Sequence, residues 1–151
     1  MGFLSIRWLQ NKQRLEKFIE TPILLLVLTE GGLSIFTKKF EAGRQLVDQL
    51  IGGLITAINS FGQDVFEGSP MDQIVYQEYT VVLTVYENMM FCYIFQGTAQ
   101  FAREKLALFV ESLQTSDEIW EILDTARKRG VFLKSSEQNR LDQIITDVFQ
   151  L

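Results

Sequence analysis

The chain has 151 residues, a one-domain length that can bury a core without disulfide or metal staples, and 47% of them are hydrophobic. Its net charge of −5 argues against a duplex nucleic-acid binder, which needs a basic face. With no histidine and one cysteine it lacks the commonest general base, the commonest metal ligand and the usual zinc sites.

The charge is uneven. Residues 1–19 carry Arg7, Lys12, Arg14 and Lys17 against Glu16, whereas the rest of the chain holds ten basic and eighteen acidic residues, so a basic arm precedes an acidic body. Cys92 lies in an apolar run and has no partner for an internal disulfide, which fits a reducing compartment. The opening MGFLSIRW is cut by Arg7 before it reaches signal-peptide or membrane-spanning length, and Ile6 breaks the myristoylation pattern. A soluble, cytoplasmic protein is expected, peripheral at most where membranes are concerned.

From Phe3 to Glu20, Leu4, Trp8, Leu15, Phe18 and Ile19 fall near one helical face with basic residues between them. One reading is an interfacial helix, with Phe3, Leu4 and Trp8 in the lipid headgroups and Arg7 and Lys12 beside anionic lipid. The other, favoured because such helices are common in soluble domains, is an N-terminal helix packed on the body. Thr21-Pro22 closes it. Ile23–Leu28 is apolar at every position and predicts a strand buried on both faces. Glu30-Gly31-Gly32 supplies a tight hairpin, and Leu33–Phe40 returns, with Leu33, Ile35 and Thr37 facing one way and Phe36 the other.

Glu41 to Phe66 reads as one long helix. Leu46, Leu50, Leu54, Ala57, Ile58, Phe61 and Val65 recur at helical spacing, and Val47, Ile51, Ile55 and Phe66 widen the face beyond what one sheet contact needs. That surplus arc is the candidate partner interface. Gly52-Gly53 inside the helix costs about 1 kcal/mol per glycine, so a close approach is expected there. Neither that pair nor Gly31-Gly32 has the lysine and hydroxyl pattern of a phosphate loop.

Three strands follow Gly68-Ser69-Pro70, at about 72–77, 80–86 and 89–95, with Glu87-Asn88 as the second turn. Val81, Leu83 and Val85 oppose Val82, Thr84 and Tyr86, and Met90, Cys92 and Ile94 oppose Phe91, Tyr93 and Phe95. Neither side is polar, so helices must cover both faces. Ala99–Leu113 predicts a helix with Phe101, Leu106, Phe109, Val110 and Leu113 inward. Thr115 to Glu118 fits a capping box for a helix ending in Arg127-Lys128-Arg129 and Gly130, and Ser135 to Gln138 caps the last one. The class is α/β (α+β): three layers, α/β/α, with a five-stranded, mainly antiparallel sheet, one long helix on one face and the C-terminal helices on the other. Residues 1–20 form the arm, 21–113 the core and 114–151 a helical extension.

Carboxylates such as Glu118 and Glu121 fall on an exposed helix face, and Arg127-Lys128-Arg129 is explained by the helix dipole, so the pattern argues against an enzyme. No residue set points to a cofactor.

The hairpin Ile23–Phe40, with Gly31-Gly32 and a returning Leu-Ser-Ile-Phe strand, resembles the opening of longin domains. Leu50 to Phe61 resembles the long helix that follows it there, and Ile74–Phe95 with Ala99–Leu113 continues the likeness over roughly 21–113. Roadblock domains share this profilin-like sheet and begin with a helix, which residues 3–20 would supply. The resemblance implies a non-catalytic module of membrane trafficking and small-GTPase regulation, pairing as a homodimer or with a related longin or roadblock subunit through the long helix and a neighbouring sheet edge. A small-molecule sensor of the same layered shape is the rival reading.

Overall fold

The computed structural model describes residues 20–67, 72–99 and 101–149. The basic arm, with Phe3, Leu4, Arg7, Trp8 and Lys12, lies outside them. Strand β1 (Thr21–Thr29) opens the described chain, and Ile23–Leu28 is buried throughout, as an apolar run without alternation requires. Its Thr21-Pro22 start belongs to the strand itself, with Pro22 beside an irregularity in the β1–β5 register, a position where proline is tolerated in a sheet. A turn with Gly32 at φ +85° leads into β2 (Ser34–Lys39).

One turn of 3-10 helix, Glu41–Gly43, precedes the long helix α1 (Asp48–Phe66). Periodicity alone runs the helix from Glu41; the structure breaks it at 44–47 for a steric reason. Phe40 N–H donates to the Ile23 carbonyl at 3.0 Å, and a Cβ on Gly43 would collide with the same oxygen. The chain leaving β2 is pinned against β1, and a regular helix begins only past that contact.

A meander follows: β3 (Asp72–Tyr76), β4 (Tyr79–Tyr86) and β5 (Met89–Gln96). Glu87 and Asn88 hold φ +52° and +64°, the pair of left-handed residues that a two-residue hairpin loop demands. The last three elements are α2 (Ala102–Thr115), α3 (Asp117–Arg129) and α4 (Ser135–Phe149). Strand order is β2-β1-β5-β4-β3 with every pair antiparallel, so the hairpin and the meander join where β1 meets β5.

Two cores flank the sheet. Leu54, Ile58 and Val65 of α1 pack on Leu24, Leu26, Val81, Leu83, Cys92 and Ile94. On the other face α2, α3 and α4 bury Leu106, Phe109, Leu123, Leu141, Ile145 and Phe149 against Leu25, Val27, Val82, Phe91, Tyr93 and Phe95. The three-layer α+β architecture is therefore the one that the doubly apolar strands demand.

Three local expectations fail. Ile35 and Phe36 both pack in the α2–α4 core, because the β1–β2 register jumps from Val27↔Phe36 to Leu28↔Ser34 and Ile35 is the extra residue of a β-bulge. Phe101 is exposed, since α2 starts at Ala102 and leaves Phe101 at its cap with a non-helical backbone. The cap of α3 is Ser116, whose Oγ accepts from Ile119 N–H at 3.3 Å; Thr115 donates back to Ser112, and Glu118 pairs with Arg140 of α4.

A polar clasp ties the layers together. Glu20, 5% exposed, accepts from Tyr93 Oη at 2.9 Å, from Lys105 Nζ at 2.9 Å and from Phe101 N–H at 3.3 Å. One carboxylate thus joins the entrance of β1 to the middle of β5 and the first turn of α2. Burial, and then the Glu20 charge, push the Tyr93 phenol above its ordinary value of 10.0, and burial raises the Cys92 thiol from 9.0.

Two predictions follow from this packing. A Cβ at Gly52 meets nothing within 4 Å, so Gly52→Ala should add about 0.5–1 kcal/mol in urea unfolding, whereas Gly43→Ala should cost on the order of 1–3 kcal/mol by overpacking on Ile23. Tyr93 and Cys92 ionise later in the folded chain than in the unfolded one, so above about pH 9–10 the unfolded state holds fewer protons and stability must fall as pH rises. Chemical unfolding across that range should show the decline in the wild type and a shallower one in Tyr93→Phe.

Candidate interaction surface

The helices α2, α3 and α4 all lie on one face of the sheet, so none of them covers the outer side of α1. At about 100° per residue, Gly53, Ala57 and Phe61 descend the flank of α1 nearest β3, and Ile51, Ile55 and Gly62 the opposite flank. Neighbours fix the assignment. A Cβ on Gly53 would come within 2.5 Å of Tyr76 Oη in β3, and one on Gly62 would strike Met90 in β5. The small residue expected within Gly52-Gly53 is needed at Gly53, under Tyr76.

The four residues of the surplus arc differ in setting. Val47 precedes the first turn of α1 and is 63% exposed. Ile51 and Ile55 are half-buried against the core beneath α1, because their flank leans over the centre of the sheet. Phe66 is the last helical residue, and its side chain lies outside the described set.

Sequence reasoning assigns Phe61 to the buried face, yet it is 55% exposed. It stands at −20° from Leu54 on the wheel, roughly on the core side, but α1 there has reached β3, the last strand, and the side chain overhangs the edge. With Gln73, Ile74 and Val75 it lines a depression of about 240 Å³ that is open to solvent. Val75 itself is 68% exposed, pointing to the other side of β3, where Gln73 accepts from Arg103 of α2 at 3.4 Å. No periodicity could find this pair, since exposure here is set by which strand comes last.

The two sheet edges are treated differently. At β2 the α3–α4 connection covers part of the edge, Leu133 N–H donating to Ile35 carbonyl at 2.9 Å. Beyond β3 no strand is paired among the described residues. Its outer backbone groups, between Phe61 on one side and Val75 on the other, form a short ladder that another strand could extend.

Titratable chemistry is sparse. Cys92 is buried and its thiol held protonated. Burial and the neighbouring Glu78 raise Tyr79. Hydrogen bonds from Arg127 at 2.7 Å and Lys128 at 3.0 Å hold the Asp124 carboxyl below its usual range. Among the described residues no three His, Cys, Asp or Glu side chains lie together so as to hold a metal ion. A second open depression, about 320 Å³, is lined by Thr21, Pro22, Phe40, Glu41 and Ala42, with little polar to orient a ligand.

No protein-family model matches the sequence, and no curated protein is similar to it. Among solved structures the chain is similar to MglC from Myxococcus xanthus, with a TM-score of 0.47 and 13% identity over 62% of this chain and 82% of that one. Likeness at that level speaks to neither family nor function; the fold rests on the strand order and the two helix layers described above.

Proposed function

We propose that the protein is a non-catalytic interaction module of longin or roadblock type, pairing with a second copy or a related subunit, and serving in that state as a cytoplasmic scaffold or small-GTPase-associated subunit in membrane trafficking. The observation that carries this reading is the unpaired β3 edge set between exposed Phe61 and Val75. An open edge with apolar side chains on both sides is what strand addition requires: backbone bonds supply affinity, and side chains facing alternate sides supply specificity.

A two-fold axis beside β3 would pair that strand antiparallel with its copy and bring Phe61 of each helix towards the other subunit. Val47, Ile51, Ile55 and Phe66 are proposed as a second contact zone along α1, apart from the β3 edge because Ile51 and Ile55 lie on the opposite flank, with the exposed Val47 first among them. The sensor reading gains nothing specific, because both depressions are shallow and open.

The proposal is tested by sedimentation velocity on the wild type and on Phe61→Asp and Val75→Asp. Both sites are exposed, so the variants should keep the wild-type circular dichroism while the dimer dissociates at least about tenfold more readily, as expected when a charge is desolvated at an interface centre. A wild-type monomer at every concentration, or variants that associate unchanged, would refute the β3 pairing. An Ile51→Asp/Ile55→Asp variant that unfolds would place those two residues in the core alone.

A further inference from the structure

Three large apolar side chains stand exposed together at one end of the sheet. Leu33 follows the β1–β2 turn, and Val131 and Phe132 follow Gly130 in the α3–α4 connection; each is 46–49% exposed. They form one patch. Leu33 Cδ2 is 3.6 Å from where a Cβ on Gly130 would stand, and the Leu133–Ile35 backbone bond fixes the connection to the hairpin. The positive φ of Gly32 and of Gly130 makes both segments sharp reversals, so the side chains project from convex turns.

Basic side chains outnumber acidic ones beside the patch. Lys128, Arg129 and Lys134 flank it and are exposed, in a protein of net charge −5. Lys128 is shared with Asp124, while no ion pair engages Arg129 or Lys134 among the described residues. Against them stand Glu30 at the hairpin tip and Glu137 in the first turn of α4, whose Oε1 accepts from Lys134 N–H at 2.9 Å. Helix-dipole complementarity accounts for a basic last turn in α3, but gives no reason for Val131 and Phe132 to be bare beside it.

We infer that this end of the molecule docks on an anionic lipid bilayer, with Leu33, Val131 and Phe132 entering the headgroup region and Lys128, Arg129 and Lys134 meeting lipid charge. Convex apolar tips flanked by lysine and arginine suit a fluid, negatively charged interface, whereas a folded acidic partner would need a recess to grip. No helix among the described residues is long and apolar enough to cross a membrane. The site uses no residue of the β3 edge, and it stands whether or not the β3 pairing does.

The test is flotation of the full chain with vesicles of phosphatidylcholine alone or with phosphatidylserine added, at low and high salt. Each basic residue near such a surface is worth about fivefold in partitioning, so the wild type should float with the anionic vesicles, less so in salt, and not with the neutral ones. Val131→Ser/Phe132→Ser and Arg129→Glu/Lys134→Glu should each lower the bound fraction by about tenfold or more, while Phe3→Ser/Trp8→Ser should retain it. A wild type that stays with the soluble fraction would overturn the inference. So would binding that survives in both loop variants, including binding lost only when the arm is altered.

Discussion

A single constraint governs the fold: β1 and β5, side by side at the centre of the sheet, are apolar on both faces. Ile23–Leu28 and Met89–Phe95 are buried throughout, and no arrangement with one solvated face could accommodate them. A helical layer on each side is therefore compulsory. The long helix supplies one, with Leu54 and Ile58 fully buried, and the three C-terminal helices supply the other through a ring cluster in which Tyr93 and Phe149 lie 4.8 Å apart, centre to centre. Removing one of these rings would cost about 3–5 kcal/mol, much of a domain's whole stability.

Because cover is spent on the middle of the sheet, its margins are where apolar groups remain exposed. At β2 the α3–α4 connection reaches over the strand, and its exposed Val131 and Phe132 lie at that end. At β3 a short strand closes the sheet with Phe61 and Val75 left on either side. The proposed pairing and the proposed lipid contact thus occupy opposite ends of the strand order, β3 and β2. A scaffold holding a partner at one margin and a membrane at the other needs that separation.

Much of this was legible in the sequence, because period and punctuation report it directly. Uninterrupted apolar strands, the Gly31-Gly32 and Glu87-Asn88 turns, the glycine stop at Gly130 and the alternation in β4 and β5 are local signals with local causes. What stayed hidden depends on neighbours distant in sequence. The bulge that puts Ile35 and Phe36 on one face arises from pairing register, and the helix break before Asp48 from a backbone contact between Gly43 and Ile23. Glu20 reads as the polar end of an amphipathic segment, and nothing around it announces that Tyr93 and Lys105 will converge on it. Of the candidate interface, Val47 is legible as exposed, but Phe61 and Val75 become exposed only because β3 is the last strand.

The central functional claim concerns the outer backbone of β3, and amide hydrogen exchange over residues 72–76 measures it directly. Exchange followed at dilute and at concentrated protein should show the β3 amides that do not bond to β4 exchanging freely when dilute and protected by at least about tenfold when concentrated, with the β1 and β5 amides slow in both. Identical exchange in β3 at every concentration, in protein that remains folded, would contradict the account.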